Sequence, residues 1–254
     1  MMILCLSEYP EELSPYYFSI KKEKEAVEGL LKSRIVITTC TSSSFFARIR
    51  DFRRFTHVFI DEAGFVLEPD ILTPLNFLEV KEGQIVLAGD AQQLSPVLTS
   101  SIAKEHGLGI SLIERLCTHN PLYAPDPQKF VTRFADSYDS LLITKLVRNY
   151  RNHAAILQLP SKLFYHDELI PCRTSHHASF QGHDILVNED FPIVYHALEG
   201  EQVRDEDSPS WYNRQEAFQD SGYVPEDIGI ITPYRKQVDC IRNYITSFDL
   251  PMPK

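Results

Sequence analysis

The sequence predicts an α/β fold with mainly parallel sheets, and three runs carry that prediction. Residues 58–64, VFIDEAG, begin with three apolar residues, two of them β-branched, and pass directly into Asp61, Glu62, Ala63 and Gly64. Residues 84–88, QIVLA, repeat the pattern and lead into Gly89, Asp90, Ala91, Gln92 and Gln93. Residues 227–232, DIGIIT, form a third run, ending at Pro233, Tyr234 and Arg235. Short apolar runs bounded by polar or turn residues read as buried strands.

Along the chain, residues 1–33 begin loosely, with Ala26, Val27, Leu30 and Leu31 at helical spacing in a short amphipathic helix over 20–32. Residues 34–39, RIVITT, read as a strand whose end is rich in hydroxyls: Thr38, Thr39, Thr41, Ser42, Ser43 and Ser44. A helix over 44–49 would use those hydroxyls as caps. Pro69 and Pro74 make 67–77 a short helix, and 111–116 continues another. Residues 119–140 have no clear periodicity, and a loop of that length is unusual inside a compact domain. It reads as a crossover between two halves. Residues 156–165 form a helix expected to pack on the second domain; 191–197 form a short strand; 202–210 are an acidic surface loop; Trp211 and Tyr212 start a helix; and 236–245 form another.

Composition bounds the class. A chain of 254 residues, 43% hydrophobic and 24% charged, buries a normal core in one large or two small domains. No apolar run approaches the roughly 20 residues of a membrane span. Five cysteines, Cys5, Cys40, Cys117, Cys172 and Cys240, lie scattered without a C-x-x-C pair, which disfavours a disulfide framework and a zinc module. His166, Cys172, His176, His177 and His183 supply ligand types for a metal, but at no regular zinc spacing. The formal charge of -10 argues against coating nucleic acid by bulk electrostatics. The basic runs at Arg48, Arg50, Arg53 and Arg54, and at Arg235 and Lys236, read as solvated faces or as local binding patches.

A parallel strand covered on both faces is apolar throughout, so carboxylates belong at its C-terminal end, where α/β sheets keep their ligand chemistry. Asp61 and Glu62 therefore stand at the mouth of a site, or else close the strand in a solvated acidic turn. In phosphate-transferring sites the first carboxylate of such a pair holds Mg²⁺ through its water shell, and the next orients or deprotonates the attacking water. Gln93 suits the same site, because a neutral amide hydrogen-bonds a γ-phosphate or the water attacking it.

DEAG followed by LAGDAQQLSPV resembles motifs II and III of superfamily 1 helicases, LVRNYRNHAAIL over 146–157 resembles motif IV, and IGIITPYRKQV over 228–238 resembles a later strand and turn of the second motor domain. HGLGISLIERL and SPSWYN point to the Upf1-like RNA helicases similar to the Moloney leukaemia virus 10 protein and Armitage. The resemblance implies two incomplete RecA-like domains of a P-loop NTPase helicase core, residues 1–140 with the crossover and residues 141–254. It implies ATP and Mg²⁺ as ligands: Asp61 on the metal, Glu62, Gln93 and Arg151 in hydrolysis, and Asp90 fixing the Gln93 loop. Arg151 becomes the motif IV arginine that reaches the γ-phosphate; a surface arginine paired to a carboxylate is the bland alternative. Thr38, Thr39, Thr232 and Tyr234 become contacts to single-stranded RNA, although Thr38 and Thr39 serve equally as caps and Tyr234 as a core aromatic. Ala154 departs from the usual proline of motif IV, leaving the following helix start less rigid.

The family reading further implies 5′-to-3′ movement, RNA silencing or turnover, ribonucleoprotein or silencing-complex partners, no membrane, and a cytoplasmic location that extends to ribonucleoprotein granules. The 254 residues hold no G-x-x-x-x-G-K-[ST] loop, so this polypeptide alone is expected to bind ATP weakly or not at all. Two rivals stay open: a catalytically inactive RNA-binding or protein-interaction module of helicase shape, and a DNA helicase.

Overall fold

A computed structural model of the chain describes residues 2–5, 23–49, 52, 54–130, 134–173, 186, 191–204, 210–214 and 229–247. The chain divides into two compact units, Met1–Thr174 and Ser175–Lys254.

The first unit runs β1 (Met2–Cys5), α1 (Glu23–Lys32), β2 (Ile35–Thr38), a 3₁₀ helix (Thr41–Arg48), β3 (His57–Ile60), α2 (Glu68–Leu75), β4 (Gln84–Leu87), α3 (Ser101–Glu105), α4 (Leu112–His119), β5 (Arg148–Asn149), α5 (Ala154–Phe164) and β6 (Ile170–Pro171). The first four strands form one sheet in the order β2-β1-β3-β4, parallel throughout, as an α/β fold requires. β1, in the stretch expected to be loose, is an interior strand. Its MILC run is apolar but too short to identify before the flanking strands are known.

β3 is covered unequally. Val58 and Ile60 are 0% and 1% exposed, whereas His57 and Phe59 on the other face are only half-buried. Under the packed face Phe46 stacks on Phe52 at 4.9 Å and meets Phe77 edge-on at 5.5 Å, with Phe55, Ile71 and Leu112 completing the core. Full burial of such a side chain stabilises by about 1.5–3 kcal/mol. β4 is an edge strand, and its Ile85 and Val86 stay 47% and 43% exposed.

The hydroxyl-rich turn after β2 does not cap an α-helix at 44–49. A 3₁₀ helix starts at Thr41, with Cys40 as N-cap and no side-chain cap bond there. Thr39 Oγ1 instead accepts the Ser42 N–H at 3.1 Å, and the Ser43 hydroxyl donates to the Cys40 carbonyl at 2.6 Å. Such local bonds satisfy the backbone while competing with a regular helix. The irregular segment before β5 closes on itself, the Asp126 N–H donating to the Ser137 carbonyl at 2.8 Å. Lys145 ties it to α5's end through Asp136 at 3.2 Å and Glu168 at 2.6 Å.

The second unit contains β7 (Val203–Arg204), β8 (Trp211–Tyr212) and α6 (Arg235–Ser247). Three expectations are corrected. Trp211 and Tyr212 do not start a helix but pair antiparallel with β7, so Val203 and Arg204, in the stretch expected as a surface loop, are a strand. Residues 191–197 are not a strand. The described part of the 227–232 run, 229–232, is not a strand either: Ile230 is 45% exposed and Ile231 97%. Apolar composition alone does not hold a strand without partners for its backbone. α6 is anchored differently. The Gln237 side chain, 3% exposed, accepts the Asn213 N–H at 2.6 Å and donates to the Asn213 carbonyl at 2.9 Å. Among the described residues no helix is long and apolar enough to cross a membrane.

Candidate functional site

The C-terminal ends of β3 and β4 are stitched together by backbone. The Ala88 N–H donates to the Ile60 carbonyl at 2.8 Å, and the Ala63 N–H returns to the Ala88 carbonyl at 2.8 Å. The two turns approach so closely that neither glycine tolerates a side chain. A Cβ on Gly64 would lie 2.5 Å from the Asp90 carbonyl oxygen, and one on Gly89 would lie 2.7 Å from the amide nitrogens of Ala63 and Gly64. Asp61 and Glu62 remain exposed at this seam, with Asp61 Oδ1 accepting the Glu62 N–H at 3.1 Å. Glu62 has φ +52°, a left-handed conformation unfavourable for a residue with a Cβ. Strain of this kind persists only where surrounding structure enforces it, and here the Ala63 and Gly64 contacts do so.

Asp90 organises the neighbouring turn. Its Oδ1 accepts the Gln92 N–H at 2.9 Å, while Oδ2 accepts Gln93 Nε2 at 3.1 Å and the Tyr165 hydroxyl at 2.8 Å. Burial, then the hydrogen bond and charge of Asp90, push the Tyr165 hydroxyl up to about 12, with the Gln93 side chain opposing the rise. The expectation that Asp90 fixes the Gln93 loop is thus met by a hydrogen bond, but with a third member that the sequence did not announce. Tyr165 follows α5, a helix expected to pack elsewhere, and lies 75 positions from Asp90. The one local signal was a hydroxyl-bearing aromatic closing an apolar helix.

Arg151 sits in the turn after β5. Asn149 Oδ1 accepts the N–H groups of Arg151 and Asn152 at 3.1 and 2.8 Å, and Arg173 donates to the Arg151 carbonyl at 3.1 Å. The backbone is therefore held while the Arg151 side chain is exposed. Among the described residues no hydrogen bond or ion pair joins it to Asp61, Glu62, Asp90 or Gln93. α5 is capped by His153, whose ring accepts the Ala155 N–H at 3.2 Å, so a cap stands where a proline was missing.

The candidate nucleic-acid contacts divide. Thr38 is 6% exposed at the end of β2, and its hydroxyl donates to the Thr39 carbonyl at 3.2 Å. Thr39 uses its oxygen on Ser42. Thr232 Oγ1 accepts the Tyr234 N–H at 3.4 Å, and the Tyr234 ring is 44% exposed just before α6. Of the basic runs, Arg54 is occupied structurally, donating to the carbonyls of Asn76 at 2.9 Å and Leu78 at 3.1 Å beyond α2; Arg50 and Arg53 lie outside the described residues.

Two family models, each described as an AAA domain, match the chain, over residues 8–101 and 108–251. The chain belongs to the Upf1-like helicases, with AAA-type P-loop NTPase domains. Within this family it is 44% identical over 243 residues to the human protein named RNA helicase Mov10l1 and 43% identical over 243 residues to its mouse counterpart, in each case 90% of this chain and 20% of the relative. It is 38% identical over 241 residues to the Drosophila melanogaster protein named "Probable RNA helicase armi", 87% of this chain and 20% of that one. The chain thus spans about a fifth of the length of these curated relatives.

For a helicase domain of this family the donor set fits Mg²⁺. The ion takes one or two carboxylates, completing its shell with waters and substrate phosphates rather than with an all-protein cage. Asp61 presents one carboxylate oxygen beyond its bond to Glu62, and among the described residues no cluster of three or more acidic, histidine or cysteine side chains forms a closed metal site. Of the histidine–cysteine set, His166 pairs with Asp136 at 3.8 Å and Cys172 Sγ donates to the Ile170 carbonyl at 3.5 Å, so neither is turned to a common ion. His176, His177 and His183 lie outside the described residues.

Proposed function

We propose that the chain contributes to an ATP-dependent RNA helicase that acts on single-stranded RNA, moves 5′ to 3′, and serves RNA silencing or turnover. The observation that carries the reading is the seam joining the Asp61–Glu62 turn to the Asp90–Gln93 turn at one end of a parallel sheet. The names of the relatives, RNA helicases, support the nucleic-acid half of it.

In this reading Asp61 holds Mg²⁺, which when bound neutralises phosphate charge and orients the oxygens of ATP. Glu62 accepts a proton from water as its oxygen bonds the γ-phosphorus and the bond to the ADP oxygen breaks. Gln93 and Asp90 lie beside that reaction. Arg151 supplies a fixed positive charge to the transferring phosphoryl group, a contribution of about 10³ to 10⁵ in rate where such arginines have been removed. Residues 1–140 and 141–254 are assigned to the two motor halves. Thr38, Thr39, Thr232 and Tyr234 are assigned to the RNA, hydroxyls bonding phosphate or sugar and Tyr234 offering a face for stacking. The protein works in the cytoplasm, in ribonucleoprotein granules, with silencing-complex proteins.

The test is Glu62→Gln in the full-length protein. ATP affinity is expected to stay within about twofold while turnover falls by at least about a hundredfold. Unchanged hydrolysis overturns the assignment, and a folded wild type without any turnover supports the inactive binding module. Matched RNA and DNA strands, titrated at one salt concentration, separate an RNA from a DNA motor.

A further inference from the structure

The Gln93 amide can face its site in two ways, as a hydrogen-bond donor through Nε2 or as an acceptor through Oε1. Asp90 decides between them. A carboxylate only accepts, so the atom 3.1 Å from Asp90 Oδ2 is the amide nitrogen, and the amide oxygen is left to point away from Asp90. The same Oδ2 takes the Tyr165 hydroxyl at 2.8 Å, so one carboxylate oxygen holds both the amide nitrogen and the phenol.

The backbone behind Tyr165 is locked. The Tyr165 and Asp167 N–H groups both donate to the Ser161 carbonyl, at 3.0 and 2.9 Å, and the 2% exposed Ser161 accepts the Leu169 N–H through its hydroxyl at 3.2 Å. His166 and Asp167 stand at φ +52° and +60°, consecutive left-handed positions without a glycine. Glu168, one residue on, is held by Lys145 at 2.6 Å. A surface glutamine otherwise loses rotamer entropy when fixed. Gln93, itself exposed, has that loss met in part by Asp90, which Tyr165 holds from a rigid element.

We infer that Tyr165 is a positioning residue for ATP hydrolysis: it holds Asp90, which in turn holds the nitrogen of Gln93, so that Gln93 presents its oxygen to a proton of the attacking water rather than a donor to the γ-phosphate. The inference rests on the hydrolase reading above. It assigns Gln93 one of two roles open to it and gives the helix after the Arg151 turn a direct bond to the motif that faces the nucleotide.

In the full-length protein, Tyr165→Phe removes one oxygen and keeps the ring. Turnover is expected to fall about tenfold to a hundredfold, with ATP affinity, KM and melting temperature unchanged. In a Gln93→Ala background the same substitution is expected to have no further effect, because its target is gone. Asp90→Asn, which lets the amide turn over, is expected to match Tyr165→Phe. Independently of turnover, the side-chain amide resonances of Gln93 in 15N-glutamine-labelled protein are expected to shift in Tyr165→Phe. The inference is overturned by additive losses in the double variant, by wild-type turnover in Tyr165→Phe while Glu62→Gln is dead, or by Gln93 resonances that do not move. Absent turnover in the wild type with moved resonances overturns the hydrolase reading and leaves the clamp standing.

Discussion

Two runs of similar composition, VFI before Asp61 and GIIT before Pro233, end in opposite conditions. Val58 and Ile60 are sealed, whereas Ile231 is 97% exposed and residues 229–232 are not a strand. β3 lies between β1 and β4, in register with both, and its turn is returned to β4 by the Ala63 N–H. In the second unit the element that follows the run, α6, docks on β8 through the side-chain amide of Gln237, which bonds both backbone groups of Asn213 as a neighbouring strand would. The lesson is that an apolar run becomes a strand only where other segments satisfy its N–H and C=O groups.

The comparison can be broken at either end. The largest expected effect is Gly89→Val: a Cβ 2.7 Å from two amide nitrogens forces the seam apart, destabilising the first unit by about 3 kcal/mol or more and abolishing turnover. Thermal unfolding reads the stability change. Gln237→Leu leaves the Asn213 N–H and C=O buried without their partner, at about 1–3 kcal/mol. Hydrogen exchange should then quicken in 210–214 and 235–247 and not in β3.

A smaller effect sharpens the account of the first unit. Burial raises the Glu168 carboxyl, but the bonds from Lys145 and the Ala135 N–H outweigh it and hold the group below its ordinary value of 4.5. A depressed folded value means that the stabilisation is complete above pH 4.5 and is lost as pH falls through the lower folded value. Lys145→Met should flatten that acid limb in a pH series of melting temperatures. The smallest change expected is Glu68→Gln, which breaks the pair of 2.7 Å bonds to Arg115; with the arginine side chain 46% exposed, no measurable shift in melting temperature should follow.

How much was legible follows from distance along the chain. The strand before Asp61, the one before Asp90, and the helices near 23–32, 68–75, 112–119 and 235–247 were readable because periodicity and turn residues are local. β1 was not, since a four-residue apolar stretch has meaning only once β2 and β3 flank it. Trp211 and Tyr212 were misread because their partner, β7, lies within the stretch expected as a surface loop. The candidate site was half legible. Asp61, Glu62, Asp90 and Gln93 were named from two adjacent motifs; Tyr165 was not, because its acceptor, Asp90, lies 75 positions away.

The order of motifs, the carboxylate pair at a strand end and the family were determined by the sequence by itself, because each is written in contiguous residues whose chemistry does not depend on their surroundings. Only the tertiary structure decided that Glu62 is held left-handed, that the two turns meet without room for a Cβ, and which end of the Gln93 amide is left outward. Those features are set by atoms brought within about 3 Å of one another from distant parts of the chain, and hydrogen bonding and exclusion act only at that range.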